Sequence, residues 1–199
     1  MLGGTLNKTL DYLRLFGVAG AVIALDQWTK ALVRDNIAFT DSWLPDSLSW
    51  LMPYARIIHW RNGGAAFGSF QGYSWVFSIL AFVVAGMIIY YYPRVDAADW
   101  WLKLAMGMQM GGALGNVVDR IFANGQVTDF ISVGTFPVFN IADASISVGV
   151  AILLIGMFFK ERAEKQQAAL AWLTGSGDPH QTETPESEPA DEQKEGTVG

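Results

Sequence analysis

An uncharged run of twenty residues, Tyr73–Tyr92, is the feature that most constrains how this chain folds. A helix of about 20 apolar residues is what crosses the hydrocarbon core of a bilayer. Only 16% of all residues are charged, whereas soluble domains carry about a quarter. Three further apolar runs have a similar length, and we predict membrane spans at about 15–33, 73–92, 100–118 and 139–159.

The predicted fold class is all-α and transmembrane, a four-helix membrane bundle with a small extracytoplasmic β/loop element and a disordered C-terminal tail. The aromatic-rich segment at about 34–72 is expected to form strands and turns at the membrane surface. Residues 1–168 form the membrane domain, and residues 169–199 form a polar acidic tail. We expect disorder from about 175 onward, because that segment has too few apolar residues to bury a core.

The distribution of charge predicts the orientation and excludes one class of partner. Seven basic residues near the span ends fall on one side of the predicted membrane, and five fall on the other. By the positive-inside rule we expect both termini in the cytoplasm, with segments 34–72 and 119–138 on the outer face. The residues from Asp178 onward sum to −6, which is the net charge of the whole chain. The acidity therefore belongs to the tail, and no nucleic-acid partner is indicated.

The residue inventory excludes several kinds of chemistry. The chain has no cysteine, so it has no disulfide, no cysteine nucleophile and no thiolate metal site. His180 lies in the tail, so His59 is the one histidine of the membrane domain. The membrane domain therefore has too few histidines and cysteines for a three-ligand zinc site, and its single histidine disfavours a serine–histidine triad. We predict no metal and no other cofactor. His59 itself, beside Trp60 and Arg61, is expected at the protein surface or at the membrane interface.

Two aspartates stand out. Asp143 lies about one turn inside the predicted fourth span, where an ionised carboxylate costs roughly 3 kcal/mol. Asn140 and Ser147 share its helix face, so this face points into the bundle; the alternative is a structural, hydrogen-bonded aspartate. Asp129 follows span three in a short apolar stretch, fourteen residues before Asp143. A loop that returns from span three to span four would bring both carboxylates together at the outer membrane surface.

Other polar residues in the spans favour supporting roles. Asp26 and Lys30 are four residues apart on one helix face, and such a self-neutralising pair is more typical of structure than of chemistry. Asp119 and Arg120 end span three, either as an interfacial ion pair or as part of a site. Span three also carries a glycine at every fourth position, which lets another helix approach closely: Gly107, Gly111 and Gly115.

Five short blocks, in order, resemble the motifs of the lipoprotein signal peptidases, also called the signal peptidase II family. The resemblance covers about residues 13–160. The blocks are Asp26–Lys30, Asn62–Phe67, Gly111–Arg120, Val127–Phe130 and Phe139–Asp143. Each block is weak alone, but five in order at matching positions relative to four spans are specific. The acidic tail lies outside the core of the family.

The resemblance implies a monomeric enzyme of the bacterial inner membrane that removes signal peptides from prolipoproteins. It would cut before a cysteine that carries diacylglycerol, in contact with membrane lipid, and would be inhibited by globomycin. Asp129 and Asp143 match the catalytic pair of the family. Asp26, Lys30 and Asp119 are expected to support the site. The residues that match the lining of the family's site are Asn62, Gly64, Asn116, Arg120, Asn140 and Ala142.

Two other classes of function remain open from the residues alone. A small transporter or channel would use the membrane aspartates as a proton or cation path. The four spans show no inverted repeat, which argues against it. A structural or assembly protein is disfavoured because asparagine, arginine and aspartate cluster at one membrane face.

Overall fold

The computed structural model describes residues 2–64 and 72–173. Within these ranges the chain forms four α-helices and one small antiparallel sheet. The helices are α1 (Leu2–Asn36), α2 (Ser74–Tyr91), α3 (Trp100–Phe122) and α4 (Ile141–Leu173), and the strands are β1 (Ser42–Trp43), β2 (Ala55–Asn62) and β3 (Val127–Val133). The predicted disorder from about 175, and the end of the motif Asn62–Phe67, fall outside the described residues.

Two helical segments of the described chain, Ser74–Arg94 and Ile141–Leu173, are long and apolar enough to cross a membrane. Helices α1 and α3 are not apolar enough to meet the same criterion. Three of their charged residues are buried: Asp26 and Lys30 of α1 are 0% exposed and Asp119 of α3 is 3% exposed. Part of the low apolarity of these two helices therefore comes from a polar interior. Their outer surfaces remain rich in apolar side chains, as at Phe16.

Helix α3 packs closely against both α1 and α4 through its glycines. A methyl group added at Gly111 would lie 2.8 Å from the carbonyl oxygen of Ala19 in α1. A methyl group added at Gly112 would collide with the carbonyl oxygen of Ala142 in α4. The glycine stripe predicted from the sequence therefore serves the approach to α1, and Gly112, which stands beside that stripe, serves the approach to α4.

Helix α2 presents most of its surface outward. It buries only Ala81, Ala85 and Ile88, and larger apolar side chains such as Leu80 and Phe82 are more than half exposed. A broad exposed apolar surface on one helix is typical of contact with lipid. The chain as a whole divides into two compact units, Met1–Phe158 and Phe159–Gly199, and the site lies in the first.

The sheet has the order β1-β2-β3, and both pairings are antiparallel. The segment predicted to form strands and turns supplies β1 and β2, as expected. The third strand comes from the segment after α3, where the sequence indicated only a short apolar stretch. Trp60 pairs with Asp129, and Ile131 bridges to Phe139. Strand β3 therefore runs beside the residues that lead into α4.

His59 corrects one expectation. It is 4% exposed, so it is a buried residue and not a surface residue. Its Nδ1 atom lies 2.8 Å from the carbonyl oxygen of Ile37, and its ring packs edge-on against Phe39. The neighbouring Trp60 and Arg61 are both exposed.

Candidate active site

Asp129 is held in the middle of β3 with its carboxylate almost completely buried, at 2% exposure. Its Oδ1 atom accepts a hydrogen bond from Asn140 Nδ2 at 2.7 Å, and its Oδ2 atom accepts one from Asn62 Nδ2 at 3.2 Å. Burial, followed by the nearby charge of Asp143, raises the pKa of Asp129 to about 7. Asp129 therefore titrates in the range that acid–base catalysis at neutral pH requires.

Asp143 lies at the start of α4 and forms a reciprocal cap with Asn140. The backbone N–H of Asp143 donates to Asn140 Oδ1 at 3.0 Å, and Asp143 Oδ2 accepts from the backbone N–H of Asn140 at 3.2 Å. This is the arrangement of a capping box, with asparagine and aspartate as its two members.

The cap defines where Asp143 stands in α4. The helix begins at Ile141, so Asp143 lies in its first turn. The positive end of the helix dipole stabilises a carboxylate at this position. The cap and the dipole therefore offset part of the cost of an ionised carboxylate near the start of span four.

Two asparagines link the carboxylates. Asn116 Nδ2 donates to Asp143 Oδ1 at 2.8 Å. Asn140 Nδ2, which donates to Asp129, also donates to Asn116 Oδ1 at 3.0 Å. The structure thus brings Asp129 and Asp143 to one polar cluster, although they come from a strand and a helix fourteen residues apart. The pairing of β3 with the residues before α4 closes that gap.

Both aspartates open on one cleft of about 650 Å³. Its polar lining consists of Asn62, Asn116, Arg120, Asp129, Asp143 and Ser147. Phe77, Phe136 and Val148 belong to its apolar walls. The Arg120 guanidinium stacks 5.6 Å from the centre of the Phe77 ring, which holds a cation at the edge of the apolar wall.

A second polar cluster, which we call the Lys30 cluster, lies behind the cleft and consists of Asp26, Lys30, Asn116 and Asp119. Lys30 Nζ lies 2.8 Å from Asp26 Oδ2, 3.2 Å from Asp119 Oδ2 and 2.9 Å from Asn116 Oδ1. The predicted pair of Asp26 and Lys30 is confirmed. Asp119 is not an interfacial partner of Arg120, because it is buried and pairs with Lys30.

The Lys30 cluster fastens the backbone beside each aspartate of the cleft. Asp119 Oδ2 accepts from the backbone N–H of Thr128 at 2.9 Å, one residue before Asp129. Asp26 Oδ1 accepts from the backbone N–H of Ala142 at 2.9 Å, one residue before Asp143. These two bonds tie β3 and the start of α4 to helices α3 and α1, so the cluster positions both carboxylates at once.

Three further residues complete the comparison with the sequence. Gly64 donates its backbone N–H to Asn62 Oδ1 at 3.0 Å and so orients the Asn62 amide. Ala142 is fully buried and stands behind the cleft rather than in its lining. Gln27 was missed: its Nε2 atom donates to Asp26, to Asp119 and to the carbonyl oxygen of Gly115. Its place between Asp26 and Lys30 in the first motif is a signal that could have drawn attention to it, although it does not indicate which groups Gln27 contacts.

No group of three or more histidine, cysteine, aspartate or glutamate side chains is arranged to hold a metal ion within residues 2–64 and 72–173.

A family model described as "Signal peptidase (SPase) II" matches residues 18–159, which cover the cleft and the Lys30 cluster. The chain belongs to the signal peptidase II family. Members of this family are proteases, and the chain is therefore a protease and an integral membrane protein. The resemblance drawn from the five sequence blocks is confirmed.

Individual relatives agree with the family model. The chain is 42% identical to the lipoprotein signal peptidase of Geobacillus thermodenitrificans (strain NG80-2) over 152 residues, 74% of this chain and 91% of that protein. It is 38% identical to that of Geobacillus kaustophilus (strain HTA426), covering 75% and 96% of the two chains. A solved bacterial membrane enzyme, determined by the in meso method at 2.3 Å resolution, is similar in fold. It gives a TM-score of 0.66 at 28% identity, over 74% of this chain and 88% of that one.

Proposed function

We propose that this protein is an aspartyl endopeptidase of the bacterial cytoplasmic membrane that removes signal peptides from prolipoproteins. It cuts before the cysteine that carries diacylglycerol, and Asp129 and Asp143 are its catalytic pair. One observation carries the proposal: two carboxylates from different elements share Asn140 as a hydrogen-bond partner and open on the same cleft. Membership of the signal peptidase II family supplies the substrate class.

The chemistry needs one neutral and one ionised carboxyl group. Two carboxylates that share a site do not both ionise readily, so the pair holds one proton near neutral pH. The ionised member takes a proton from a water molecule, whose oxygen attacks the scissile carbonyl carbon. The neutral member gives its proton to the carbonyl oxygen. The tetrahedral intermediate then collapses, the two groups exchange roles, and the amine leaves with a proton.

The walls of the cleft suit a substrate that is part peptide and part lipid. Phe77, Phe136 and Val148 offer apolar surface to the acyl chains. Arg120, held over Phe77, can donate to a peptide carbonyl or to an ester oxygen at the boundary between the two parts. Asn62 donates to Asp129 and lines the cleft, where its amide can also contact the peptide part of the substrate.

In the membrane arrangement that we propose, all four helices cross the bilayer as a bundle and the protein is a monomer. Both termini are cytoplasmic, and the sheet and the cleft lie at the outer face. The exposed apolar side chains of α2 support this arrangement, and so does the burial of Asp26, Lys30 and Asp119, since charges inside a bundle are shielded from lipid.

The test uses purified protein in detergent micelles and a synthetic precursor peptide, with and without a diacylglyceryl group on its cysteine. We expect cleavage before the lipidated cysteine, inhibition by globomycin and no loss of rate with a strong chelator. Asp143→Asn, with its folding verified, serves as the inactive control. If the peptide stays intact with wild-type protein, while proteoliposomes conduct protons or cations through the aspartates, the protein is a transporter and the proposal fails.

A further inference from the structure

Three side-chain amides around the two aspartates each turn their NH₂ group toward a carboxylate. Asn62 Nδ2 and Asn140 Nδ2 donate to Asp129, and Asn116 Nδ2 donates to Asp143. An amide that rotates by half a turn exchanges its donor for its acceptor. The orientation of each amide therefore decides whether its carboxyl partner meets a donor, which suits an ionised oxygen, or an acceptor, which requires a proton on the carboxyl.

The orientation of the Asn116 amide follows from Lys30. The lysine ammonium group has three donors and no acceptor, and its Nζ atom lies 2.9 Å from Asn116 Oδ1. Asn116 must therefore turn its oxygen toward Lys30 and its NH₂ group toward Asp143. Lys30 is fully buried and held by Asp26 and Asp119, so neither water nor rotation of the lysine relaxes this requirement.

The surroundings of Asp143 fit an ionised carboxylate. Besides the Asn116 NH₂ group at 2.8 Å, it accepts from the backbone N–H of Asn140 and lies in the first turn of α4. Donors and a helix N-terminus both stabilise negative charge. Asp129 also accepts from two amide NH₂ groups, those of Asn62 and Asn140. It lies in a strand instead, with no helix N-terminus beside it, and its carboxyl is more completely removed from solvent. Burial has the larger effect on the pKa of Asp129 and outweighs the two donors, so Asp129 is the group that holds the proton.

We propose that Lys30 is a positioning residue of the reaction: by holding the Asn116 amide, it makes Asp143 the ionised member of the pair and leaves the proton on Asp129. Asp143 then acts as the base toward water, and Asp129 donates to the scissile carbonyl oxygen. The inference rests on the proposed catalytic pair and goes beyond it by assigning the two roles. The raised pKa of Asp129, caused first by its burial, agrees with the assignment.

The first test is the pH dependence of kcat/KM in the double variant Asp26→Asn/Lys30→Met. Removing one negative and one positive charge together leaves the net charge of the Lys30 cluster unchanged. The side-chain oxygen of the new asparagine can still accept a hydrogen bond from the backbone N–H of Ala142. Without Lys30 the Asn116 oxygen keeps its bond from Asn140 Nδ2 but loses its charged partner, so the amide is held less firmly and Asp143 has a weaker donor. We expect the acidic limb of the profile to move upward by about one pH unit, as for a carboxylate that loses a favourable partner.

Gln27→Leu is the matched control. It removes hydrogen bonds to Asp26 and Asp119 in the same buried region but keeps Lys30 and Asn116. It should lower the thermal denaturation temperature and leave the pH profile in place. If both variants leave the profile unmoved, or if both move it equally, Lys30 has only a structural role and the inference is wrong. Failure of the catalytic pair itself would instead appear as turnover retained by Asp143→Asn.

A second measurement does not depend on the folding of the Lys30 variant. Infrared spectra of the protein at pH 6 should contain the carbonyl band of a protonated carboxylic acid that Asp129→Asn removes and Asp143→Asn retains. The opposite pattern, with the band removed by Asp143→Asn, would overturn the assignment of the proton. Both variants are isosteric, so a difference between their spectra reports protonation and not a change of fold.

Discussion

Replacing Asp129 by asparagine is expected to abolish turnover and yet stabilise the folded protein at alkaline pH. Turnover should fall by roughly four orders of magnitude, because removing one member of a catalytic unit costs nearly as much as removing all of it. The double variant with Asp143→Asn should be scarcely worse than either single variant. The effect on stability follows from the burial of Asp129 and has its own dependence on pH.

The magnitude comes from the pKa of Asp129, which is about 7 in the folded protein against an ordinary value of 3.8. A difference of about three units corresponds to about 4 kcal/mol. Above pH 7 the Asp129 carboxylate is ionised in both the folded and the unfolded protein. The free energy of unfolding is then lower by the whole cost of burying that charge. As the pH falls from about 7 to about 4 the folded protein takes up the proton first, and the cost disappears.

Asparagine carries no charge and avoids this cost, but it brings an NH₂ group against the NH₂ group of Asn62 or Asn140. One unmatched donor of this kind costs about 1–3 kcal/mol. We therefore expect Asp129→Asn to be about 2 kcal/mol more stable than the wild type at pH 8, and no more stable at pH 4.5.

Asp143→Asn is the matched comparison, because it is equally isosteric and should be equally inactive. It weakens the cap at the start of α4 and should cost about 1 kcal/mol. Its gain at pH 8 should be smaller than that of Asp129→Asn, because it removes the repulsion between the two carboxylates but leaves the larger cost of burying Asp129. The greater stabilisation by Asp129→Asn at this pH is therefore the distinctive result.

The assay is reversible unfolding in mixed micelles, followed by tryptophan fluorescence at several pH values between 4.5 and 8. Precursor cleavage per mole of folded enzyme is measured on the same samples. The reasoning is refuted if Asp129→Asn loses as much stability at pH 8 as at pH 4.5. A residual turnover above about a tenth of the wild type, in either variant, would refute the catalytic role given to that aspartate.

Three other predictions concern packing, topology and the tail. Gly112→Ala should lower the free energy of unfolding by about 1–3 kcal/mol, because the new methyl group would force α3 and α4 apart. Denaturation in micelles measures this change, and Gly17→Ala is the control because its methyl group would meet open space. A reporter active only outside the cytoplasm should be silent when fused after Lys165 and active when fused within residues 40–55, and the reverse would contradict the proposed orientation. A chain ended at Leu173 should cleave precursor as the full chain does, and a large loss by stably inserted protein would contradict this.

Local spacing made part of the site predictable. Asp26 and Lys30 lie four residues apart in an apolar stretch, so a helix must place them on one face, and the structure places Lys30 Nζ 2.8 Å from Asp26 Oδ2. The regular spacing of Gly107, Gly111 and Gly115 predicted close helix packing for the same reason. Both predictions need only the helical period and no knowledge of the rest of the fold.

Contacts between elements that lie far apart in the chain could not be predicted from the sequence. Nothing in the residues around Thr128 shows that its N–H reaches Asp119, because that bond depends on how β3 packs against the end of α3. The cap between Asn140 and Asp143 was not predicted, because hydropathy marks where a chain becomes apolar and does not mark where a helix starts. Gln27 was overlooked because a single amide in a membrane helix has no period to reveal its partners.

The N–H groups at the start of α4 are already committed, and this limits which compounds can imitate the reaction intermediate. Ala142 N–H donates to Asp26, and the N–H groups of Asp143 and Ala144 donate to Asn140. These three groups therefore cannot receive the oxygen of a phosphinate or other anionic mimic, whose charge would also add to that of the aspartates. A neutral secondary alcohol at the scissile position can donate to one carboxyl group and accept from the other. Inhibitor chemistry for this cleft should accordingly favour uncharged hydroxyl isosteres.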